Sequence, residues 1–132
     1  MSDLLVRDLM HLGVVTCDVQ TPVNVIAQMM VDNVVHCIVV VDEAGEACGV
    51  ISDLGLMKAY GKDAEKMTAE DILGGSPIIV NPDALVSEAV AIMQEKHIHH
   101  LVIMSEPPLR RPVGILAASD VIKEMAKRYG AK

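Results

Sequence analysis

Val23, Ile26, Ala27 and Met30 recur at the spacing of one helical face, and Val86, Ala89, Val90 and Met93 draw the same stripe further along the chain. Each stripe is followed by a polar turn and then a β-branched run, Cys37 to Val41 after the first and Leu101 to Met104 after the second. The match extends in both directions at one fixed offset. Asp8-Leu9-Met10 lies over Asp71-Ile72-Leu73, Val15-Thr16-Cys17 over Ile78-Ile79-Val80, and His36 over His99, each pair 63 positions apart. The chain is therefore an internal repeat.

Each copy predicts the order strand, helix, strand, strand, helix. In the first copy, Val14 to Cys17 forms a short strand, and Thr21 caps a helix with Pro22 at its first position, where a missing N–H is harmless. A loop through Gly45 leads to a strand over Ala47 to Ile51; in the second copy the longer loop SEPPLRRP leads to Val113 to Leu116. Short polar segments, VRDLM and TAEDIL, open the copies, the latter with a capping-box pattern from Thr68 to Asp71. A sheet of about three strands covered by helices on one face leaves the other face apolar. Two copies, 1–66 and 67–132, can bury those faces together, which predicts an α+β pair of βαββα units about a pseudo-twofold axis with clefts where they meet.

Composition narrows the core and the partners. The 132 residues are 52% hydrophobic, with nine Met, two Tyr and neither Phe nor Trp, so aliphatic and sulfur-bearing side chains must fill the interior. A net charge of −7, with no basic run beyond Arg110-Arg111, argues against nucleic acid and anionic lipid as partners. Cys17, Cys37 and Cys48 form no Cys-x-x-Cys pair and read as buried thiols of a reducing cytoplasm. Neither a signal-like segment nor an apolar run of about 20 residues is present, so a soluble cytoplasmic protein is expected.

Three histidines stand out: His97, His99 and His100, just before the last long apolar run. A metal needs three or four converging ligands. In an extended stretch His97 and His99 point one way and His100 the other, so His11, His36 or a cysteine would have to complete the set. No metal site is expected. Nor is there a nucleophile and base pair or a carboxylate dyad, so the chain is not expected to be an enzyme. Near the carboxyl terminus, Ser119 and Asp120 read as the cap and the acidic first turn of the last helix.

The repeat resembles the cystathionine-β-synthase (CBS) domain pair, or Bateman module. The resemblance rests on VRDLM, on the helices ending at Met30 and Met93, on VVHCIVVVDEAGEACGVIS and HIHHLVIM, and on the closing GILAASD, and it covers essentially the whole chain. It implies a regulatory module that binds an adenosine compound such as AMP, ADP, ATP or S-adenosylmethionine between its units, requires no cofactor, forms a homodimer and signals to a partner protein. The family's adenosine pattern is Gly, apolar, any, Ser or Thr, any, Ser or Thr, Asp. Gly114, Ile115, Ser119 and Asp120 keep it, with Ala117 in place of the first hydroxyl. A carboxylate there can accept from both ribose hydroxyls. In the first copy Gly55 stands where the aspartate should be and Asp53 arrives two residues early, so at most one competent site is expected. By the same resemblance Ser76, Pro77, Ile78 and Ile79 border the adenine, and His36, His99 and His100 face its phosphates. Histidine close to its ordinary pKa of ~6.5 would then bind phosphate more strongly as pH falls toward about 6. The alternatives are a structural or dimerisation module that has lost its ligand and, ranked below it, a metal-binding module.

Overall fold

The computed structural model describes residues 3–74, 78–105 and 111–131. In chain order its elements are α1 (Val6–Leu9), β1 (His11–Leu12), β2 (Thr16–Cys17), α2 (Val23–Asn33), β3 (Cys37–Val41), β4 (Ala47–Ser52) and α3 (Asp53–Met57). There follow α4 (Ala69–Ile72), β5 (Ile79–Val80), α5 (Val86–Lys96), β6 (His100–Met104), β7 (Pro112–Ala117) and α6 (Ala118–Tyr129). The expected α+β order of strand, helix, strand, strand, helix is present twice. Each copy pairs its first strand parallel to its second and its second antiparallel to its third.

The compact units do not follow the repeat boundary. One unit is the contiguous segment 14–77; the other joins 1–13 to 78–132. Each lead-in therefore packs with the body of the opposite copy, and the hydrogen bonds that hold it are equivalent. In the two-segment unit Val6 N–H donates to the Ala84 carbonyl (2.8 Å), Arg7 N–H to Pro82 (2.9 Å) and Val86 N–H to Leu4 (2.8 Å). In the contiguous unit Ala69 N–H donates to Thr21 (2.9 Å), Glu70 N–H to Val19 (3.1 Å) and Val23 N–H to Met67 (2.8 Å). All six residues of one set lie 63 positions from those of the other. Side chains finish the anchorage: Val6 is fully buried among Val80, Ala89 and Leu101, while Ala69 and Ile72 join Val23, Ile26 and Ile38. An exposed Arg7–Asp83 ion pair adds little to this burial.

Two glycines mark the places where lead-ins cross the sheets. A Cβ on Gly114 would stand 2.6 Å from the His11 carbonyl oxygen and 3.1 Å from Met10 Sδ, and one on Gly49 would stand 2.3 Å from Leu73 Cδ2. After its glycine the first lead-in continues as β1, antiparallel to β7, giving the order β1-β7-β6-β5; the other sheet is β2-β3-β4. The fourth strand was not expected from the sequence, because two residues carry no period.

Several local expectations change. Pro22, not Thr21, is the N-cap of α2; the Thr21 hydroxyl accepts from Asp18 N–H (3.1 Å) and closes the preceding turn. Ser119 is not the cap of α6, whose N-cap is Ala117, two residues earlier. His97 is not extended: it ends α5 in the left-handed conformation at φ 52°, as Val34 ends α2. The alternation argument therefore does not apply to His97. Histidine is enriched in that conformation, which gives His97 a local reason to be where it is.

Candidate functional site

The carboxyl ends and starts of three strands meet at one end of the two-segment sheet. β5 begins at Ile79, paired with Val102; β6 begins at His100, paired with Ala117, the last residue of β7; and α6 starts at once. Neighbouring strands lie about 4.8 Å apart, so the start of β5 and the start of α6 are separated by roughly 10 Å across β6. Ile78, Ile79, His100, Ala117 and Asp120 thus share one end of one sheet. Ile78 accepts from Val102 N–H (3.0 Å), and His99 accepts from Ala118 N–H (2.9 Å), which ties the turn before β6 to the first residue of α6. His99 is exposed and His100 half-buried. Gly114 and Ile115 lie further back on β7, where Gly114 admits the β1 backbone and Ile115 pairs with His11. Ser76 and Pro77 lie outside the described residues, as does Arg110. His36 is exposed in the contiguous unit, its Nδ1 3.7 Å from Asp53 Oδ2. A pair this open is weak.

Asp120 is the buried charged residue of the described chain. Its Oδ2 accepts from Ala117 N–H (2.8 Å), which satisfies a donor left free at the start of α6. Its Oδ1 lies 2.5 Å from His11 Nε2, with Asp120 5% and His11 64% exposed at the side chain. His11 was foreseen only as a contributor to a metal set. Its pairing with Asp120 could not be read from the sequence, because it depends on the lead-in crossing to the opposite copy.

The corresponding place in the contiguous unit is built differently. The N-cap of α3 is Ser52, whose hydroxyl accepts from Gly55 N–H (3.2 Å). There is no carboxylate at Gly55, and Asp53 turns its Oδ1 to Leu54 N–H (2.8 Å). Cys37, beside His36, is buried, which pushes its thiol up to about 12, with the Asp53 charge adding to the effect. Burial likewise raises Cys17 to about 11. Both stay protonated at neutral pH and make poor metal ligands. Among the described residues, no three His, Cys, Asp or Glu side chains come together to hold a metal ion.

The family model for the CBS domain matches this chain twice, over residues 6–62 and 69–127. The chain belongs to the CBS domain family. An uncharacterised protein of Methanocaldococcus jannaschii is 29% identical over 141 residues, covering 96% of this chain and 33% of its own length. The chain spans from a third to a half of the length of the first curated relatives it matches. Among solved structures it is similar to the CBS domain pair of protein MJ0100 in complex with 5′-methylthioadenosine and S-adenosyl-L-methionine (TM-score 0.86, 22% identity, 96% of this chain and 99% of that one). It is also similar to Hypoxic Response Protein I with two coordinated zinc ions (TM-score 0.76, 21% identity, 91% and 98%). At these identities the likeness is one of fold. Each CBS match begins with its own lead-in, whereas the compact units exchange them. Among the described residues no helix is long and apolar enough to cross a membrane.

Proposed function

We propose that this CBS pair is a non-enzymatic, cytoplasmic regulatory module that binds one adenosine compound per chain at the Asp120 end of the two-segment unit. The observation that carries the reading is the buried Asp120 carboxylate at the start of α6, on the same sheet end as Ile78 and Ile79. A ribose would place its hydroxyls on Asp120, beside Ser119, with Ile78 and Ile79 along the adenine. His99 and His100 at the start of β6 would meet phosphate when the ligand carries it. The MJ0100 pair, which contains two adenosyl compounds, supports this ligand class. AMP, ADP, ATP and S-adenosylmethionine are the candidates, and none is required for folding.

Signalling would follow from a population shift, in which ligand favours one arrangement and so changes the surface offered to a partner protein. Homodimerisation belongs to the same reading. Met57 at the end of α3 and Tyr60 just after it are exposed, as are their counterparts Ile122 and Met125 on α6, and they give each unit an apolar stripe to bury.

A second reading is favoured by the same carboxylate: with Ala117 N–H on one oxygen and His11 on the other, Asp120 is also a complete helix cap, as a purely structural module would have it. A thermal-shift panel of AMP, ADP, ATP, S-adenosylmethionine and 5′-methylthioadenosine separates the two. Saturable stabilisation of the wild type that is lost in Asp120→Ala supports the binding module. No stabilisation by any of the five at millimolar concentration supports the structural one.

A further inference from the structure

We infer that His11 is a built-in occupant of the proposed adenosine site, holding the Asp120 oxygen that a ribose hydroxyl needs and leaving when ligand binds. The inference rests on the ribose role proposed for Asp120. A carboxylate with 5% of its side chain exposed has no open approach for two further hydroxyl donors. Something must move before a ribose can reach it. The Ala117 N–H cannot, because it is the first backbone donor of a helix whose start is fixed by the β6–β7 ladder through the His100–Ala117 pair. The His11 ring can, since 64% of it already faces solvent and rotation about its side-chain bonds leaves the strand in place. The backbone of His11 is held throughout by the register with Ile115 and by Gly13 N–H donating to Val113 (2.8 Å). The movement is therefore a side-chain swing over a fixed strand.

The repeat supplies an independent observation. The position equivalent to His11 is Gly74, and the position equivalent to Asp120 is Gly55. Both members of the pair are present at one place and both are absent at the other. A histidine that only decorated β1 would have no reason to accompany the aspartate. A ligand hydroxyl and the His11 N–H donate to the same oxygen, so binding exchanges one hydrogen bond for another, and His11 lowers affinity by the strength of the bond that is surrendered.

The test is calorimetric titration of AMP and S-adenosylmethionine at pH 7 into the wild type, His11→Ala and Asp120→Asn. His11→Ala is expected to bind about three- to tenfold more tightly, the factor set by one exposed charge-assisted bond. Without ligand it should melt at or below the wild-type temperature. Tighter binding with no gain in unliganded stability separates an occupant from a merely structural contact. His11→Ser, too short to reach Asp120, should tighten binding in the same way should the alanine variant fold poorly. Equal or weaker binding by the His11 variants, with binding lost in Asp120→Asn, overturns the occupant role and leaves the ribose role standing. No binding by the wild type or by any His11 variant overturns both.

Discussion

The two helix starts that follow β4 and β7 solve one problem with opposite halves of a capping box. In the contiguous unit, the Ser52 hydroxyl reaches forward to Gly55 N–H; in the two-segment unit, Asp120 reaches back to Ala117 N–H. A full box has both arms. Each copy has kept one, and the choice decides what chemistry the place can do. The serine arm ends in a neutral hydroxyl beside a glycine, with nothing to chelate a diol. The aspartate arm leaves a buried carboxylate oxygen that a histidine from the crossed lead-in now holds. The same fold thus yields one plain helix cap and one candidate ligand site.

The two copies should differ most in stability at the glycines where the lead-ins cross. Gly114 meets the His11 carbonyl, which is backbone, while Gly49 meets only the end of the Leu73 side chain, which can turn away. Gly114→Ala is expected to destabilise by about 2–3 kcal/mol and Gly49→Ala by about 1 kcal/mol, with overpacking as the cause in both. Denaturant unfolding of the two variants reads the difference. Equal losses would mean that β1 is not held against β7 as closely as Gly114 requires.

A smaller asymmetry lies at the ends of α2 and α5. Val34 and His97 both cap in the left-handed conformation, but a β-branched side chain is strained there and a histidine is tolerated. Val34→Gly should therefore raise stability by about 1 kcal/mol, or roughly 3–5 °C in Tm, whereas His97→Gly should change it little. A scanning-calorimetry pair checks this. Stabilisation of both variants alike would show that residue type at the cap does not matter.

Sulfur chemistry gives the mildest test. Burial holds the Cys17 and Cys37 thiols at about 11 and about 12, so their thiolate fraction at pH 8 is very small, whereas Cys48, expected to be buried like them, is exposed. A thiol reagent at pH 8 should label one cysteine per native chain quickly and all three after unfolding. Fast labelling of two or three would show that the units open around β2 or β3.

Much of the fold was legible because its signals are local. The helical stripes at Val23 to Met30 and Val86 to Met93, the β-branched runs and the 63-residue offset need no tertiary knowledge. The crossing of the lead-ins was not legible: Val6 and Ala69 show the same apolar pattern whichever copy they pack against. For the site, the Asp120 contrast with Gly55 could be read directly, as could the alignment of Ile78 with the first strand. His11 could not be joined to Asp120 without the crossing, and a left-handed Val34 contradicts residue preference, so no sequence rule announces it. The cap was misplaced at Thr21 and Ser119 because hydroxyls near helix starts also serve turns, as Thr21 does with Asp18.

On the proposed reading one copy binds and the other does not, a difference that the stoichiometry of adenosine-compound binding measures. Calorimetric titration of the full chain with AMP or S-adenosylmethionine, in the wild type and in Asp120→Asn, should give one ligand per chain for the first and none for the second. Two ligands per chain, or one retained in Asp120→Asn, would place binding where Gly55 stands and not at Asp120 alone.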